Sequence, residues 1–222
     1  MGDFQEAKRE LNALTSVVEK RALLWLAART PGWIGPDHLT LLGLGAMALA
    51  GAAYGLSGSN PDWLHAVNLC LFLNWLGDSL DGTLARFRNR LRPRYGFYVD
   101  HMVDAFGALF LLAGLGLSGY MSERIVSALL IAYLLLHVNI YLATYTLGTF
   151  KISFGLFGGT ELRLLLVLGN LAILRSPRVP LLGREVLLFD IAGFAGIVGL
   201  TLTLLLSSVR NTRRLYEMER LP

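Results

Sequence analysis

Four aspartates lie close together in a chain that is otherwise apolar. Asp78 and Asp81 are three residues apart, and Asp100 and Asp104 are four residues apart. Residues three or four apart share one face of a helix, so each pair is predicted to point its carboxylates in one direction. Clustered carboxylates repel one another, and they stay ionised together only when cations lie between them.

A divalent-metal site is the chemistry that this carboxylate cluster favours. Oxygen-only ligands suit hard ions such as Mg²⁺ or Mn²⁺. Two such ions about 3.5–4 Å apart are a common clamp for phosphoryl chemistry. The sequence therefore predicts two metal ions held by the four aspartates. The alternative is that the aspartates are protonated or paired with the five loop arginines, which are Arg86, Arg88, Arg90, Arg92 and Arg94.

The remaining sequence predicts an all-α integral membrane protein. Of its 222 residues 54% are hydrophobic and 16% charged, and the mean hydropathy is +0.53. Most of its six apolar segments approach the roughly 20 residues that a membrane-spanning helix needs. The predicted transmembrane helices are 37–57, 63–86, 97–119, 124–147, 160–175 and 185–208.

The predicted organisation is one membrane domain with short flanking segments. Residues 1–30 form an N-terminal amphipathic juxtamembrane helix, 31–210 the six-helix domain, and 211–222 a cytoplasmic tail. In the first segment, Phe4, Leu11, Leu14, Val18, Ala22 and Leu26 recur at helical spacing. Such a helix lies in the headgroup plane or docks on the rest of the protein.

The basic residues predict the orientation of the chain. Alternate connections and both termini hold 16 of the 20 Lys and Arg residues. The positive-inside bias places these segments, both termini and the aspartates on the cytoplasmic side of the cell membrane. Basic blocks then mark topology, and no nucleic-acid partner is expected. The single cysteine, Cys70, excludes a disulfide framework and a cysteine-type zinc site. Neither a cleavable signal peptide nor a myristoylation signal is predicted.

The order of residues around the aspartates resembles the motif of the CDP-alcohol phosphotransferase family of membrane enzymes. That motif is D-x2-D-G-x2-A-R followed by G-x3-D-x3-D. The matching residues are Asp78, Asp81, Gly82, Ala85, Arg86, Gly96, Asp100 and Asp104. Nine residues separate Arg86 from Gly96, where the family usually has seven or eight. The stretch TPGWIGPDHLTLLGL (30–44) is also similar to the family's segment entering the first membrane helix.

The resemblance implies a reaction and roles for these residues. Family members transfer a phosphorylated alcohol from a CDP-linked donor to an acceptor hydroxyl and release CMP, in phospholipid synthesis. It implies that the four aspartates hold the metals and that Asp104 takes the acceptor's proton. It also implies a lipid substrate and a homodimer. The residues implied for donor binding are Thr40, Asp81, Gly82, Ala85, Arg86 and Gly96. Thr40 alternatively bonds its own helix backbone, and Arg86 is alternatively a cytoplasmic anchor.

Two short stretches favour one substrate class. YVDHMVD is similar to F-D-H-x-x-D of the enzymes that use CDP-choline or CDP-ethanolamine with diacylglycerol. GGTELRLLL (158–166) resembles their G-P-T-E stretch, with Gly159 in place of Pro. The alternative is a CDP-diacylglycerol donor with a glycerol phosphate, inositol phosphate or serine type of acceptor. In the phosphatidylglycerol-phosphate synthases a Lys follows the last aspartate of the motif, whereas here Asp104 is followed by Ala105.

Further polar residues are candidates for the acceptor or headgroup site. They are His101, His137, Asn139, Lys151, Glu161 and Arg163. Polar groups of the fourth apolar segment, which also include Tyr141, Thr144 and Tyr145, alternatively bond neighbouring helices. Lys151, Glu161 and Arg163 alternatively mark topology.

A cation or proton transporter is the main alternative outside enzymes, because intramembrane acids also mark ion paths. The acids here cluster at one predicted membrane face and do not continue across it, which favours the enzyme. A structural scaffold gives no reason for the aspartate spacing.

Overall fold

The structure, a computed structural model, describes residues 16–148 and 158–220 and is mainly helical there. The helices are α1 Ser16–Arg29, α2 Pro36–Ser57, α3 Trp63–Phe87, α4 Pro93–Leu117, α5 Glu123–Leu147, α6 Gly159–Ile173 and α7 Leu188–Met218. Two short antiparallel strands, β1 Arg178–Leu181 and β2 Arg184–Leu187, connect α6 to α7.

Each of the six predicted apolar segments contains one helix. Among the described residues, α2, α4, α5 and α7 are long and apolar enough to cross a membrane. Helix α3 is equally long, but it carries Asp78, Asp81 and Arg86. Helix α6 has 15 residues, which is about 22 Å of helix against a hydrocarbon core of roughly 30 Å. The structure thus supports the class of all-α membrane protein, with four helices among the described residues that are suited to span a membrane.

The prediction for the last segment, 185–208, was wrong at its start, which is a strand. The two strands are joined by Leu182 and Gly183, whose φ angles are 50° and 77°. Positive φ at both central residues is typical of a two-residue hairpin turn, and no such turn was predicted from the sequence. Helix α7 then continues to Met218 because no Gly or Pro interrupts residues 200–218. The helix is therefore continuous at residue 211, where the tail was predicted to begin.

Helix α1 docks on α3 in the part of it that the structure describes. Its buried residues are Leu23 and Ala27, which pack with Leu80 and Leu84 of α3. Ala22, which was predicted for the apolar stripe, is exposed. Phe4, Leu11 and Leu14 lie outside the described residues.

Glu19 fixes the docked α1 by hydrogen bonds to two helices. One oxygen, Oε1, accepts from Trp75 Nε1 at 2.7 Å, from Thr160 Oγ1 at 3.0 Å and from Ser79 Oγ at 3.3 Å. Trp75 and Ser79 belong to α3, and Thr160 lies in the first turn of α6. Several accepted hydrogen bonds stabilise an ionised carboxylate where bulk water is excluded.

Glycines let α2 approach its two neighbours at backbone distance. A Cβ on Gly77 of α3 would lie 2.5 Å from the Leu39 carbonyl oxygen and 2.8 Å from the Gly43 nitrogen. At the other end of α2, Gly51 faces Gly114 of α4 so closely that a Cβ on either would overlap the opposite backbone. Small residues at such crossings are typical of helix packing in membranes.

We expect Gly51→Ala to lower the stability of the fold. The added methyl meets the Phe110 carbonyl of α4 and cannot be accommodated by a side-chain rotation. The free energy of unfolding should fall by about 1–3 kcal/mol, as in overpacked cores. Thermal unfolding of the purified protein in detergent measures this change.

The matched control is Gly45→Ala on the same helix, where nothing lies within 4 Å of the added Cβ. That variant should be neutral or slightly stabilised, because alanine favours helix over glycine. Equal melting temperatures for the two variants would contradict the proposed close crossing.

Candidate active site

The aspartates of α3 each have a defined partner from another part of the fold. Asp81 accepts a hydrogen bond from the Thr40 hydroxyl of α2 at 2.6 Å and another from the Gly82 backbone N–H. The Thr40 hydroxyl also lies 3.2 Å from the Pro36 carbonyl oxygen. Thr40 is therefore placed beside the aspartate cluster, and both interpretations of this residue have a geometric basis.

Asp78 is paired with a cation from α6. Its Oδ2 lies 2.8 Å from Nη2 of Arg163. The same guanidinium donates from Nε to Asn74 Oδ1 at 2.7 Å, and Asn74 Nδ2 donates to the Gly43 carbonyl at 3.0 Å. This chain of bonds ties α2, α3 and α6 together. Arg163, predicted for the headgroup, thus contacts the predicted metal site directly.

The second aspartate pair lies on α4, just beyond the short connection that follows α3. Asp100 and Asp104 are both half-buried on α4. The charges of Asp78 and Asp100 both act on the Asp81 carboxylate, and those of Asp100 and Asp104 both act on Tyr141 of α5. The structure therefore gathers all four aspartates at one end of α3 and α4.

The donor set suits a hard divalent cation, since it consists of carboxylate oxygens alone. Within residues 16–148 and 158–220, however, no three His, Cys, Asp or Glu side chains converge closely enough to hold an ion as they stand. Asp78 is turned towards Arg163, and Asp81 towards Thr40 and Gly82. The fit is thus one of ligand chemistry and helix placement.

The residues predicted to bind the donor lie near the end of α3 and the start of α4, which were predicted to face the cytoplasm. A Cβ on Gly82 would lie 3.6 Å from the guanidinium nitrogens of Arg86, so Arg86 lies over the surface of Gly82. Nothing lies within 4 Å of a Cβ added to Gly96. Ala85, which lies between Gly82 and Gly96 in the sequence, is half-buried. Helix α4 begins at Pro93, four residues before the start predicted for the segment 97–119. Proline suits the first turn, where its missing N–H is not needed.

His101 and His137 belong to a column of rings beside the aspartates. His101 of α4 contacts Phe97 at 4.2 Å and Tyr141 at 5.1 Å between ring centroids. His137 of α5 contacts Tyr133 at 4.0 Å and Tyr141 at 5.9 Å. Both histidines place Nδ1 against the carbonyl four residues before, so a neutral ring carries its proton there.

The other candidates for the headgroup site lie elsewhere or have structural partners. Asn139 donates to Ser207 Oγ at 2.6 Å and accepts from Ser208 Oγ at 3.2 Å, so it joins α5 to α7. Glu161 accepts from the Gly158 N–H at 2.9 Å and caps the first turn of α6. Lys151 lies outside the described residues.

Two residues that position the site were missed in the sequence. Arg88, one of the five loop arginines, donates to the carbonyl oxygens of Ile34, Thr30 and Pro31 at 2.6, 2.7 and 3.0 Å. It fixes the start of α2 against the end of α3, and nothing distinguishes it in sequence from its neighbours. Asn74 lies four residues before Asp78, and that spacing could have predicted a shared helix face.

The structure is that of an all-α membrane protein with paired aspartates on two consecutive helices. Comparison with known proteins then identifies the family. The sequence model of the CDP-alcohol phosphatidyltransferase family matches residues 33–205. The chain therefore belongs to this family, as the motif resemblance predicted.

Two curated relatives are both called cholinephosphotransferase 1. The protein of Danio rerio is 26% identical over 188 residues, which are 78% of this chain and 48% of the relative. That of Gallus gallus is 31% identical over 96 residues, which are 40% of this chain and 28% of the relative. The chain thus spans half or less of the length of these two proteins.

We expect Arg163→Gln to destabilise the protein. The change removes the cation beside Asp78 and leaves a half-buried carboxylate without its partner. Loss of a hydrogen-bonded charge pair of this exposure should cost about 1–3 kcal/mol. Thermal unfolding in detergent measures the loss.

Arg175→Gln is the matched control, since Arg175 is exposed just beyond the end of the same helix. It should leave the melting temperature unchanged. A stability of Arg163→Gln equal to that of the control would show that the Asp78 contact contributes nothing.

Proposed function

We propose that the protein is a metal-dependent enzyme that transfers a phosphorylated alcohol from a CDP-linked donor to an acceptor hydroxyl and releases CMP. The observation that supports this most strongly is that two aspartate pairs, spaced as in the family motif, lie near the ends of α3 and α4 that a short connection joins. Family membership supports the same reaction class. The product would enter phospholipid synthesis.

Asp78, Asp81, Asp100 and Asp104 would hold the metal, as two Mg²⁺ or Mn²⁺ ions. Bound there, the ions would neutralise charge on the pyrophosphate of the donor. Asp78 would then exchange its contact with Arg163 for a metal, or share it.

The remaining residues would bind and orient the two substrates. Gly96 leaves open surface for the donor, and Arg86 lies over Gly82 where a phosphate oxygen can receive its N–H groups. The acceptor oxygen forms a bond to the phosphorus that carries the alcohol. The bond from that phosphorus to the bridging oxygen breaks, and CMP leaves with the electron pair. Asp104 takes the acceptor's proton.

We favour CDP-choline or CDP-ethanolamine as donor and diacylglycerol as acceptor. The DHMVD and GGTE stretches support this choice, and so do the names of the two curated relatives. Because the chain matches only part of those relatives, CDP-diacylglycerol with a small polar alcohol is the alternative that the assay must separate.

The proposed setting is a six-span, homodimeric membrane protein with its termini and active site in the cytoplasm. In this arrangement α3 and α6 also cross the membrane, held within the bundle rather than facing lipid on all sides. The arginines at the end of α3 and at the end of α7 support this orientation. A site at that face receives a lipid from the bilayer and releases CMP to water.

CMP release by the purified protein in liposomes tests the proposed function. CDP-choline or CDP-ethanolamine is offered with diacylglycerol, and CDP-diacylglycerol is offered separately with glycerol 3-phosphate, inositol phosphate or serine. Release from one donor set identifies the subclass. No release from either set, with Mg²⁺ or Mn²⁺ present, would reject the enzyme and favour transport.

We expect Asp104→Asn to lower kcat/KM for CMP release by at least about 100-fold. An amide cannot accept the proton, and general-base catalysis contributes about 10²–10⁴-fold in rate. Asp62→Asn is the matched control, because Asp62 is exposed just before the opposite end of α3. Similar losses in both variants would argue against a specific role for Asp104.

We also expect removal of divalent cations with EDTA to abolish CMP release, and added Mg²⁺ or Mn²⁺ to restore it. The reason is that four carboxylates repel an anionic pyrophosphate unless cations lie between them. Full activity after exhaustive chelation would show that the aspartates act without metal.

A further inference from the structure

Three residues of α5 form a ring face towards the aspartates. Tyr133, His137 and Tyr141 are spaced by four residues, so they lie on one side of the helix. Tyr141 is at the end of this face nearest α4, where its ring meets the edge of His101 at 5.1 Å and an interplanar angle of 81°. Tyr141 is therefore held between the two helices by ring contacts.

The Tyr141 hydroxyl is buried and has no hydrogen-bond partner within residues 16–148 and 158–220. It is the one such side-chain atom among the residues that the structure describes. Other polar side chains of the bundle are paired: Tyr54 of α2 donates to Asn170 Oδ1 of α6 at 2.7 Å, and Asn139 of α5 is paired with α7. An unsatisfied buried hydroxyl costs about 1–3 kcal/mol, so its position calls for a partner in the working protein.

The surroundings of this hydroxyl define the kind of partner that suits it. The charges of Asp104 and Asp100 act on Tyr141, so Tyr141 lies within electrostatic range of the carboxylate proposed to take the acceptor's proton. A neutral alcohol has both a hydrogen to donate and lone pairs to accept. It can give its proton towards Asp104 while its oxygen accepts the hydrogen of Tyr141.

We propose that Tyr141 binds the acceptor alcohol, with its hydroxyl hydrogen-bonded to the oxygen that attacks the donor. The inference rests on the proposed function and adds a residue that no motif contains. Tyr141 orients the acceptor oxygen, and Asp104 takes the proton. This role requires only a free hydroxyl group, whether it is carried by diacylglycerol or by a small polar alcohol.

The test is Tyr141→Phe, which removes one oxygen and keeps the ring contacts. Tyr145→Phe is the matched control, because Tyr145 lies one turn further along α5 and is 90% exposed. The kcat/KM for the acceptor should fall about 10–100-fold in Tyr141→Phe, as for the loss of one hydrogen bond in a closed site. The KM for the donor should stay unchanged in both variants.

Thermal unfolding separates this role from a structural one. Removing a hydroxyl that has no partner in the fold should leave the melting temperature unchanged or raise it. A fall in melting temperature together with the loss of activity would show that the hydroxyl supports the fold, and it would overturn the inference. Unchanged kinetics with every acceptor would overturn it too.

Acceptor binding without the donor separates the inference from the proposed reaction. Calorimetry with dioctanoylglycerol, and in parallel with glycerol 3-phosphate, inositol phosphate and serine, identifies which alcohol binds the wild type. Weaker binding of that alcohol to Tyr141→Phe, with normal binding to Tyr145→Phe, supports the site even if CMP release fails. Equal binding to both variants, or no binding of any acceptor to the wild type, rejects it.

Discussion

The close approach of α2 to α3 and α4 is the constraint on which the site depends. Gly43 and Gly77 bring α2 against α3 at backbone distance, and Gly51 and Gly114 do the same with α4. Thr40 reaches Asp81 only because the first of these crossings has no side chains between the helices. The second crossing packs α4 against the other end of α2. Bulkier crossings would separate the carboxylates that the proposed chemistry needs together.

The charged groups of the site are satisfied by donors from several helices. Asp81 has Thr40 and the Gly82 N–H, while Asp78 has Arg163. In a chain so apolar, an isolated carboxylate would be expensive. The partners come from α2 and α6, so the same contacts that offset this cost also fix the helices around α3.

The sequence predicted the parts of the structure that local spacing determines. The aspartate pairs, the six helical segments and the family followed from periodicity and from one motif. What it did not predict depends on contacts distant in sequence. Arg88 looks like its neighbouring arginines until its three carbonyl partners are known. Asn139 looked like a headgroup ligand until α7 supplied its serine partners. The buried face of α1 was predicted wrongly from the apolar periodicity, because the contact with α3 determines which of its residues are buried. The hairpin before α7 depends on the left-handed turn at Leu182 and Gly183.

The ion pair between Asp78 and Arg163 has a consequence for how the chain enters the membrane. The two residues are 85 positions apart, so α3 is synthesised well before α6 exists. Until then Asp78 has no cation from α6, and its stable placement waits for the arrival of a short helix that is a poor span by itself. Helix α6 in turn gains a fixed anchor from α3. Membrane assembly of the bundle should therefore be cooperative between an early helix and a late one, with the aspartate region the last part to reach its final form.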